Sequence, residues 1–250
     1  MDKTEHPGRG ERNACAAGRV PGAGENAPEA PATSPGATVL YLVRHGETEW
    51  NRTRRLQGSR DVALNDTGRR QAVALAELLR SRSISAAFSS PLRRARETAE
   101  LILTGRDVPL RIVPELAEMD CGAWEGLDAT ERERGYPQAV QAWKQNPWQA
   151  AIPGAESLEQ LHSRARGALE AILRESIGES VLLSGHGFFN RVILLSLLRL
   201  PRAAFWELEQ PNASCHVLRW DGTLPHPDPL SAASPTPHMS EVLVGRCAEP

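Results

Sequence analysis

TVLYLVRHGETEWN, residues 38–51, decides how the rest of this sequence is interpreted. Its first six residues are mainly apolar strand formers, which predicts a buried β-strand. The strand ends directly on Arg44 and His45, and Gly46 follows, a residue that lets the backbone turn freely. An apolar strand that delivers a guanidinium and an imidazole to its end indicates a ligand site at that edge of a sheet.

Outward from this stretch, predicted strands alternate with predicted helices. Strands are expected at residues 38–43, 84–90, 110–117 (strand, then loop), 180–187 (strand leading into loop) and 213–220, and helices at 67–82, 91–103, 157–176 and 190–200. Pro91 is expected in the first turn of its helix, and Ser157 with Gln160 forms a capping-box pattern. The alternation predicts a three-layer α/β/α domain over residues 37–220, with a mostly parallel central sheet.

The two ends of the chain differ in composition from this middle part. Residues 1–36 and 221–250 are rich in small, polar and proline residues and carry few large apolar side chains. Such segments bury too little apolar surface to offset the entropy of ordering. We therefore expect a disordered N-terminal extension at 1–36 and a disordered C-terminal tail at 221–250. Within the tail, EVLV (241–244) is compatible with a short docked strand.

Charge and composition exclude several classes of protein. The 29 Lys and Arg residues nearly balance the 31 Asp and Glu residues, which argues against a nucleic-acid or anionic-membrane partner. The longest apolar run, 192–198, is far shorter than the ~20 residues that a membrane span needs, and the amino end lacks a signal-peptide core. The four cysteines are widely separated, which argues against disulfides or a zinc site. We expect a soluble, cytoplasmic protein, and its oligomeric state stays open.

Three predicted strands deliver candidate chemical groups to one edge. His45 and His186 each follow a strand and adjoin a glycine, and the strand at 84–90 leads into a helix that carries Arg93, Arg94 and Arg96. The carboxyl ends of parallel strands are where ligands bind in such folds. We therefore expect these imidazoles and guanidiniums to meet.

Phosphoryl transfer is the chemistry that such a group supports. Guanidiniums bind phosphate oxygens through paired donors. A neutral imidazole is a nucleophile near neutral pH, because its reference pKa is about 6.5, and neighbouring arginines should lower that pKa. No cluster of aspartates accompanies the group, so we expect neither a metal nor another cofactor.

The chemistry also needs a proton donor for the leaving oxygen. The segment PELAEMDCGAWEG, residues 114–126, offers four carboxyl groups: Glu115, Glu118, Asp120 and Glu125. Spacing alone does not choose among them.

Four blocks, LVRHGETEWN, SSPLRRARETA, ELAEMDCGAWEG and LLSGHGFFNRV, occur in this order. Together they resemble the histidine phosphatase superfamily, which includes cofactor-dependent phosphoglycerate mutase. The similarity runs from about Thr38 to Trp220 and implies a phosphoglycerate mutase-like fold. It also implies a metal-independent histidine acid-type phosphatase that acts on a small phosphate monoester.

The resemblance implies a role for each matching residue. His45 would be the nucleophile that becomes phosphohistidine, and Glu118 would donate and accept the proton. Arg44 and Arg94 would hold the phosphoryl oxygens, and His186 would hydrogen-bond to the same group. Glu115 and Glu125 then become solvated or structural.

Further positions match the family's substrate pocket. The side chains of Asn51 and Gln57, together with Gly58, would line it, and the backbone amide of Gly187 would contribute. One departure is the second histidine block, which usually reads S-H-G-G. Here Gly185 precedes the histidine, and Phe188 replaces the second glycine.

Two alternatives stay open beside phosphatase activity. Mutases of this family carry a long insertion between the glutamate block and the second histidine, and here Glu118 and His186 are only 68 positions apart. Residues 131–156 are predicted to form a short loop, followed by one helix, which favours hydrolysis over cofactor-dependent phosphoglycerate mutase. A non-catalytic phospholigand-binding or scaffold protein is the second alternative. The natural ester stays open among sugar phosphates, phosphoglycerates, α-ribazole phosphate and bisphosphorylated regulators.

Overall fold

The computed structural model describes residues 37–220 and the backbone of residues 243–245. Its strands are β1 (Thr38–Arg44), β2 (Ala86–Ser89), β3 (Leu110–Ile112), β4 (Ser180–Gly185), β5 (Cys215–Trp220) and β6 (Leu243–Gly245). They form one sheet in the order β3-β2-β4-β1-β5-β6. The four strands from β3 to β1 are parallel, whereas β5 and β6 pair antiparallel.

The helices are α1 (Glu49–Arg52), α2 (Asp66–Leu78), α3 (Arg93–Ile102), α4 (Ala129–Gly135), α5 (Pro137–Gln145), α6 (Leu158–Glu175) and α7 (Gly187–Leu197). Short 3-10 turns occur at Pro114–Leu116, Gly122–Trp124 and Arg202–Trp206. The predicted α/β class with a mostly parallel sheet is confirmed.

Side chains along β1 alternate between two hydrophobic cores, one on each face of the sheet. Leu40 and Leu42 belong to a core that also contains the buried faces of α6 and α7. Tyr41 and Val43 belong to a second core with the buried faces of α2 and α3. Successive side chains of a strand point to opposite faces of a sheet, so β1 is covered by helices on both sides.

The pairing of β1 with β4 positions the ends of both strands. Arg44 lies opposite Gly185 in this parallel register. The backbone N–H of His45 then donates to the carbonyl of Gly185 at 3.2 Å. His45 and His186 therefore leave the sheet side by side at the same edge.

The region between the glutamate block and α6 differs from its prediction as a loop. Residues 131–156 contain most of α4 and all of α5. Asp128 starts α4 through a capping box with Glu131, and Pro137 occupies the first turn of α5. The prediction was wrong because both helices are short and their starting signals lie within a polar stretch.

Two predicted helix starts also shift. Pro91 precedes Leu92, the N-cap of α3, and so lies outside the first turn. The helix predicted at 190–200 begins earlier, at Gly187, because the extended backbone of His186 serves as its N-cap. The capping box of Ser157 and Gln160 at the start of α6 is confirmed.

Within the described part of the chain, no helix has both the length and the apolar character of a membrane span. The expected disorder of 1–36 and 221–250 concerns segments outside the described residues, with one exception. Leu243–Gly245 pairs with β5, which agrees with the short strand expected in EVLV.

The junction of β4 and α7 explains Gly185, one of the two departures from the family pattern. A Cβ atom at Gly185 would lie 2.5 Å from Oδ1 of Asn190. Asn190 is fully buried, and its side-chain oxygen and nitrogen have no hydrogen-bond partner among the described residues. The Asn190 amide therefore occupies the space that a side chain at position 185 would need.

We predict that Gly185→Ser destabilises the fold by about 1–3 kcal/mol, because it overpacks this junction. Asn190→Ala should remove part of that cost in the double variant, since it opens the space of the shortest contact, while Cδ1 of Phe189 still lies 2.9 Å from the added Cβ. Urea unfolding of the four proteins would measure the coupling. Gly167→Ser on α6 is the matched control, because a Cβ there meets nothing within 4 Å. An equal cost of Gly185→Ser in both backgrounds would contradict the explanation.

Candidate active site

The ring of His45 lies buried at the end of β1 in a defined orientation. Its Nδ1 is 2.7 Å from the carbonyl oxygen of Gly46. A carbonyl oxygen can only accept a hydrogen bond, so Nδ1 carries the proton and donates it. The lone pair of this neutral imidazole is therefore on Nε2.

His186 lies beside this ring. The two ring centroids are 5.2 Å apart, and the planes are inclined at 59°. Nε2 of His186 is 2.8 Å from Oγ of Ser90, the residue that follows β2. The ends of β1, β2 and β4 thus meet at one point, as the sequence predicted for His45 and His186.

Two guanidiniums complete the positive side of the site. Arg94, on the first turn of α3, is almost completely buried and donates to the carbonyls of Arg60 at 2.6 Å and Gly58 at 2.8 Å. Arg44 donates to the carbonyl of Gln210. Within residues 37–220, Nε of each arginine lacks a hydrogen-bond partner. Because neutral carbonyls hold these side chains, their charge remains available to an anion.

The other two arginines named on the α3 helix play no part in this cluster. Arg93 pairs with Asp61 at 3.0 Å, and Arg96 pairs with Glu100 at 3.5 Å. Both side chains are largely exposed. Of the three, only Arg94 lies in the site.

Burial and the two guanidiniums act together on the imidazoles. Burial lowers the pKa of His45 well below its usual value, and the charges of Arg94 and Arg44 lower it further. Burial and Arg94 also lower the pKa of His186. Burial lowers the pKa of Arg44 and of Arg94 to about 10, so both remain cationic near neutral pH.

The Glu118 carboxylate lies at the amino end of α7. Its Oε2 accepts from the N–H of Phe188 at 3.0 Å, and its Oε1 accepts from the N–H groups of Phe189 at 3.0 Å and Met119 at 2.9 Å. Amides at a helix start stabilise a carboxylate through hydrogen bonds and the helix dipole. Phe188 therefore contributes its backbone amide even though it replaces the usual glycine.

The remaining carboxyl groups of this block are exposed or bind backbone amides of nearby loops. Glu115 is exposed, and Asp120 accepts from the N–H of Gly122 at 2.8 Å. Oε1 of Glu125 accepts from the N–H of Ser59 at 2.6 Å and from that of Cys121 at 3.2 Å. The geometry thus brings Glu118, among the four, next to the cluster of His186, Gly187 and the guanidiniums.

Contacts link three of the four predicted pocket positions to this cluster: Asn51, Gly58 and Gly187. Oδ1 of Asn51 accepts from the N–H of Thr48, the N-cap of α1, and the carbonyl of Gly58 holds Arg94. Gln57 is buried, and its Oε1 has no partner in the described region. A Cβ at Gly187 would lie 3.7 Å from both Arg44 Nε and Glu118 Oε2, which places Gly187 between the guanidinium and the carboxylate.

Sequence reasoning missed Ser90, Gln210 and Asn212. Nδ2 of Asn212 donates to the carbonyls of His45 at 3.2 Å and Gly46 at 3.3 Å, and to Oδ1 of Asn51 at 3.2 Å. Asn212 precedes β5, and an antiparallel strand begins at the edge where β1 ends. A search of strand starts as well as strand ends would have found it.

Among the described residues, no three His, Cys, Asp or Glu side chains gather in a group that could hold a metal ion. The site consists of two imidazoles, two guanidiniums and one carboxylate. Such a site can bind a dianionic phosphoryl group and present it with a neutral nucleophile and a proton-transferring group.

Comparison with known proteins agrees with this geometry. Residues 40–228 match the family model of the histidine phosphatase superfamily, branch 1. Phosphoserine phosphatase 1 of Hydrogenobacter thermophilus is 31% identical over 73% of this chain and 86% of its own length. The probable phosphoglycerate mutase GpmB of Salmonella choleraesuis is 36% identical over 73% of this chain and 84% of its own length.

A solved structure with the same fold is Bacillus stearothermophilus YhfR. It superposes with a TM-score of 0.71 at 33% sequence identity, over 75% of this chain and 94% of that chain. The family match covers the strands and helices that carry every residue of the cluster described above. The chain belongs to the histidine phosphatase superfamily.

Proposed function

We propose that this protein hydrolyses a small phosphate monoester through a phosphohistidine on His45. One observation carries the proposal. Nδ1 of His45 is hydrogen-bonded to Gly46, which leaves Nε2 with a free lone pair beside Arg44 and Arg94. A neutral nucleophile next to guanidiniums that are hydrogen-bonded to neutral carbonyls is suited to attack on a phosphate dianion.

In the first step, the lone pair of His45 Nε2 forms a bond to phosphorus while the bond from phosphorus to the ester oxygen breaks. Arg44, Arg94 and His186 bind the equatorial oxygens. Glu118, in its acid form, gives a proton to the leaving alkoxide. The ring becomes cationic as it is phosphorylated, and the bond from Nδ1–H to the Gly46 carbonyl then becomes charge-assisted.

In the second step, water attacks the phosphohistidine. The Glu118 carboxylate accepts a proton from this water, and the bond from phosphorus to Nε2 breaks. Inorganic phosphate forms, and His45 returns to its neutral state. The same carboxyl group thus serves as acid and then as base, in its position beside the α7 amides.

Hydrolysis is favoured over mutase activity by the short elements that precede α6. Relatives that match most of this chain include proteins named as phosphatases, such as phosphoserine phosphatase 1, beside one named as a probable phosphoglycerate mutase, so the names alone leave both activities open. The two helices that precede α6 are short, since α4 has seven residues and α5 has nine. Such short elements offer little material to exclude water from a phosphorylated enzyme.

The substrate class is a small ester, and the relatives narrow it. Phosphoserine and phosphoglycerate, for which two of them are named, are both phosphate monoesters that carry a carboxylate.

Catalysis is favoured over a purely binding role because one cluster retains all five groups that the reaction needs: His45, Arg44, Arg94, His186 and Glu118.

Replacement of His45 by alanine should lower the hydrolysis of p-nitrophenyl phosphate without added metal by about three orders of magnitude or more. Phosphate release measures this, and acid-labile ³²P from a labelled ester should attach to His45 in the wild type. His162→Gln is the matched control, because that ring bonds to Ser196 on the α6–α7 side, outside the His45 cluster. Full activity of His45→Ala would refute the proposal, and 2,3-bisphosphoglycerate-dependent interconversion of phosphoglycerates faster than hydrolysis would identify a mutase.

For Glu118→Gln, we predict a loss of about 10²–10⁴-fold in kcat with glycerol 3-phosphate, whose alkoxide needs a proton. With p-nitrophenyl phosphate, whose leaving group needs none, a burst of p-nitrophenol should precede slow turnover, because the base for the second step is missing. Rapid-quench measurement would detect the accumulated phosphoenzyme. Glu115→Gln, at an exposed carboxyl group of the same block, should change neither rate. Equal slowing of both esters without a burst would exclude the proposed role.

The lowered pKa of His45 makes folding depend on pH. Its folded-state pKa lies below the unfolded value of about 6.5, so the unfolded chain binds more protons below that pH. The free energy of unfolding should therefore fall as the pH falls from 6.5 towards the folded-state pKa, by up to about 1.4 kcal/mol per pH unit from this histidine.

Urea unfolding of the wild type and His45→Ala at pH 7.5 and pH 5.5 would isolate this contribution, because the other titrating groups cancel in the difference. We expect the variant to gain stability relative to the wild type at the lower pH. A difference between the two proteins that is the same at both pH values would show that the pKa of His45 is not lowered.

A further inference from the structure

Arg191 is a cationic residue near the site that the proposed reaction does not use. It lies on α7, four residues after Gly187, whose Cβ position faces Arg44 and Glu118. Residues four apart share one face of a helix, with about 5–6 Å between their Cβ atoms. Arg191 therefore lies one helical turn beyond the phosphoryl site, on the face that borders it.

The guanidinium of Arg191 is surrounded by aromatic rings. It lies 5.5 Å from the ring centroid of Trp206, 5.6 Å from that of Phe205 and 6.0 Å from that of Phe188. Its Nε donates to the carbonyl of Leu208 at 2.9 Å. These contacts hold the side chain in place, and none of them neutralises its charge.

Arg202 provides a comparison, because it also lies over an aromatic ring but has a carboxylate partner. Its guanidinium lies 4.5 Å from the ring of Trp148 and also pairs with Glu159 at 2.6 Å. In the described part of the chain, Arg191 has no carboxylate at ion-pairing distance. Burial lowers the pKa of its guanidinium, and the charge of Glu118 opposes that shift. A partly buried cation without an anionic partner is costly, and an anionic ligand would remove that cost.

The surroundings leave Arg191 accessible to a small ligand. The side chain is only partly buried, and Trp206 beside it is 44% exposed despite its ring contacts with Trp143, Phe188 and Phe205. The aromatic rings limit competing water, which strengthens a hydrogen bond between a guanidinium and an anion.

We propose that Arg191 binds a second anionic group of the substrate, a carboxylate, while the phosphoryl group occupies the site of Arg44 and Arg94. The inference rests on the proposed function and names its substrate class: phosphate monoesters of small hydroxy acids. In such an ester a few bonds separate the carboxylate from phosphorus, which matches a separation of about one helical turn. Arg191 is thus a specificity-determining residue, while catalysis belongs to His45 and Glu118.

The first test uses the wild-type protein. Two esters that differ at one carbon, 3-phosphoglycerate and glycerol 3-phosphate, compete with p-nitrophenyl phosphate for hydrolysis. We expect an inhibition constant at least tenfold lower for 3-phosphoglycerate, which carries the carboxylate. Equal inhibition constants would overturn the inference.

The second test changes the residue. Arg191→Met keeps an unbranched apolar stem and removes the charge. The KM for 3-phosphoglycerate should therefore rise at least tenfold, while the kcat for this ester stays within twofold. Both KM and kcat for glycerol 3-phosphate should also stay within twofold. Arg191→Lys should restore part of the difference. Arg202→Met, which also removes a cation from an aromatic ring, should leave the ratio of the two esters unchanged. Equal losses for both esters in Arg191→Met would mean that the residue only supports the fold.

The outcome separates this inference from the proposed function. Hydrolysis of p-nitrophenyl phosphate that depends on His45, combined with no preference for the carboxylated ester, would leave the phosphatase in place and remove the role of Arg191. Calorimetric titration of His45→Ala with both esters tests the anion site when the proposed phosphatase reaction itself proves wrong. A tenfold preference for 3-phosphoglycerate there, which disappears in His45→Ala/Arg191→Met, would support the anion site even if wild-type turnover proved independent of His45. No preference would contradict it.

Discussion

The hydrogen bonds from Arg44 and Arg94 to backbone carbonyls are the constraint on which the rest of the site depends. Carboxylate partners would neutralise both guanidiniums, whereas the carbonyls of Gly58, Arg60 and Gln210 orient them and leave their charge in place. That retained charge favours a phosphate dianion, and together with burial it keeps His45 neutral. Binding and nucleophilicity thus have one electrostatic origin.

Such a constraint requires that the loops supplying the carbonyls be held firmly. Glu125 bonds to Ser59 and pairs with Arg60 at 3.0 Å, which secures the loop that holds Arg94. Arg164, on α6, donates to the carbonyls of Ala117 and Glu118, which secures the segment that carries the proposed acid. Both residues act through the backbone that they fasten.

The site residues differ in how far the sequence could predict them. His45 and His186 follow apolar strands beside glycines, so the edge rule for parallel sheets placed them before any family was considered. Glu118 was one of four possible carboxyl groups, and the resemblance alone selected it. The amides of Phe188 and Phe189 explain why this carboxylate lies beside the cluster, because they bind it at the start of α7. Asn212 was missed, since it lies just before the start of an antiparallel strand, whereas the edge rule considers only strand ends.

The sequence by itself determined the α/β class, most strand and helix positions and the histidines and arginines on which the proposed chemistry rests, because these follow from local apolar periodicity, capping patterns and motifs. Only the tertiary structure decided the tautomer of His45, the burial of Arg94, the space that Asn190 takes from position 185 and the aromatic surroundings of Arg191. The burial of Arg94 and the aromatic surroundings of Arg191 depend on contacts between segments far apart in the chain, whereas His45 and Asn190 contact near neighbours in a geometry that the assembled sheet edge sets. No local pattern encodes such contacts, because strand register and helix packing create them when the layers assemble.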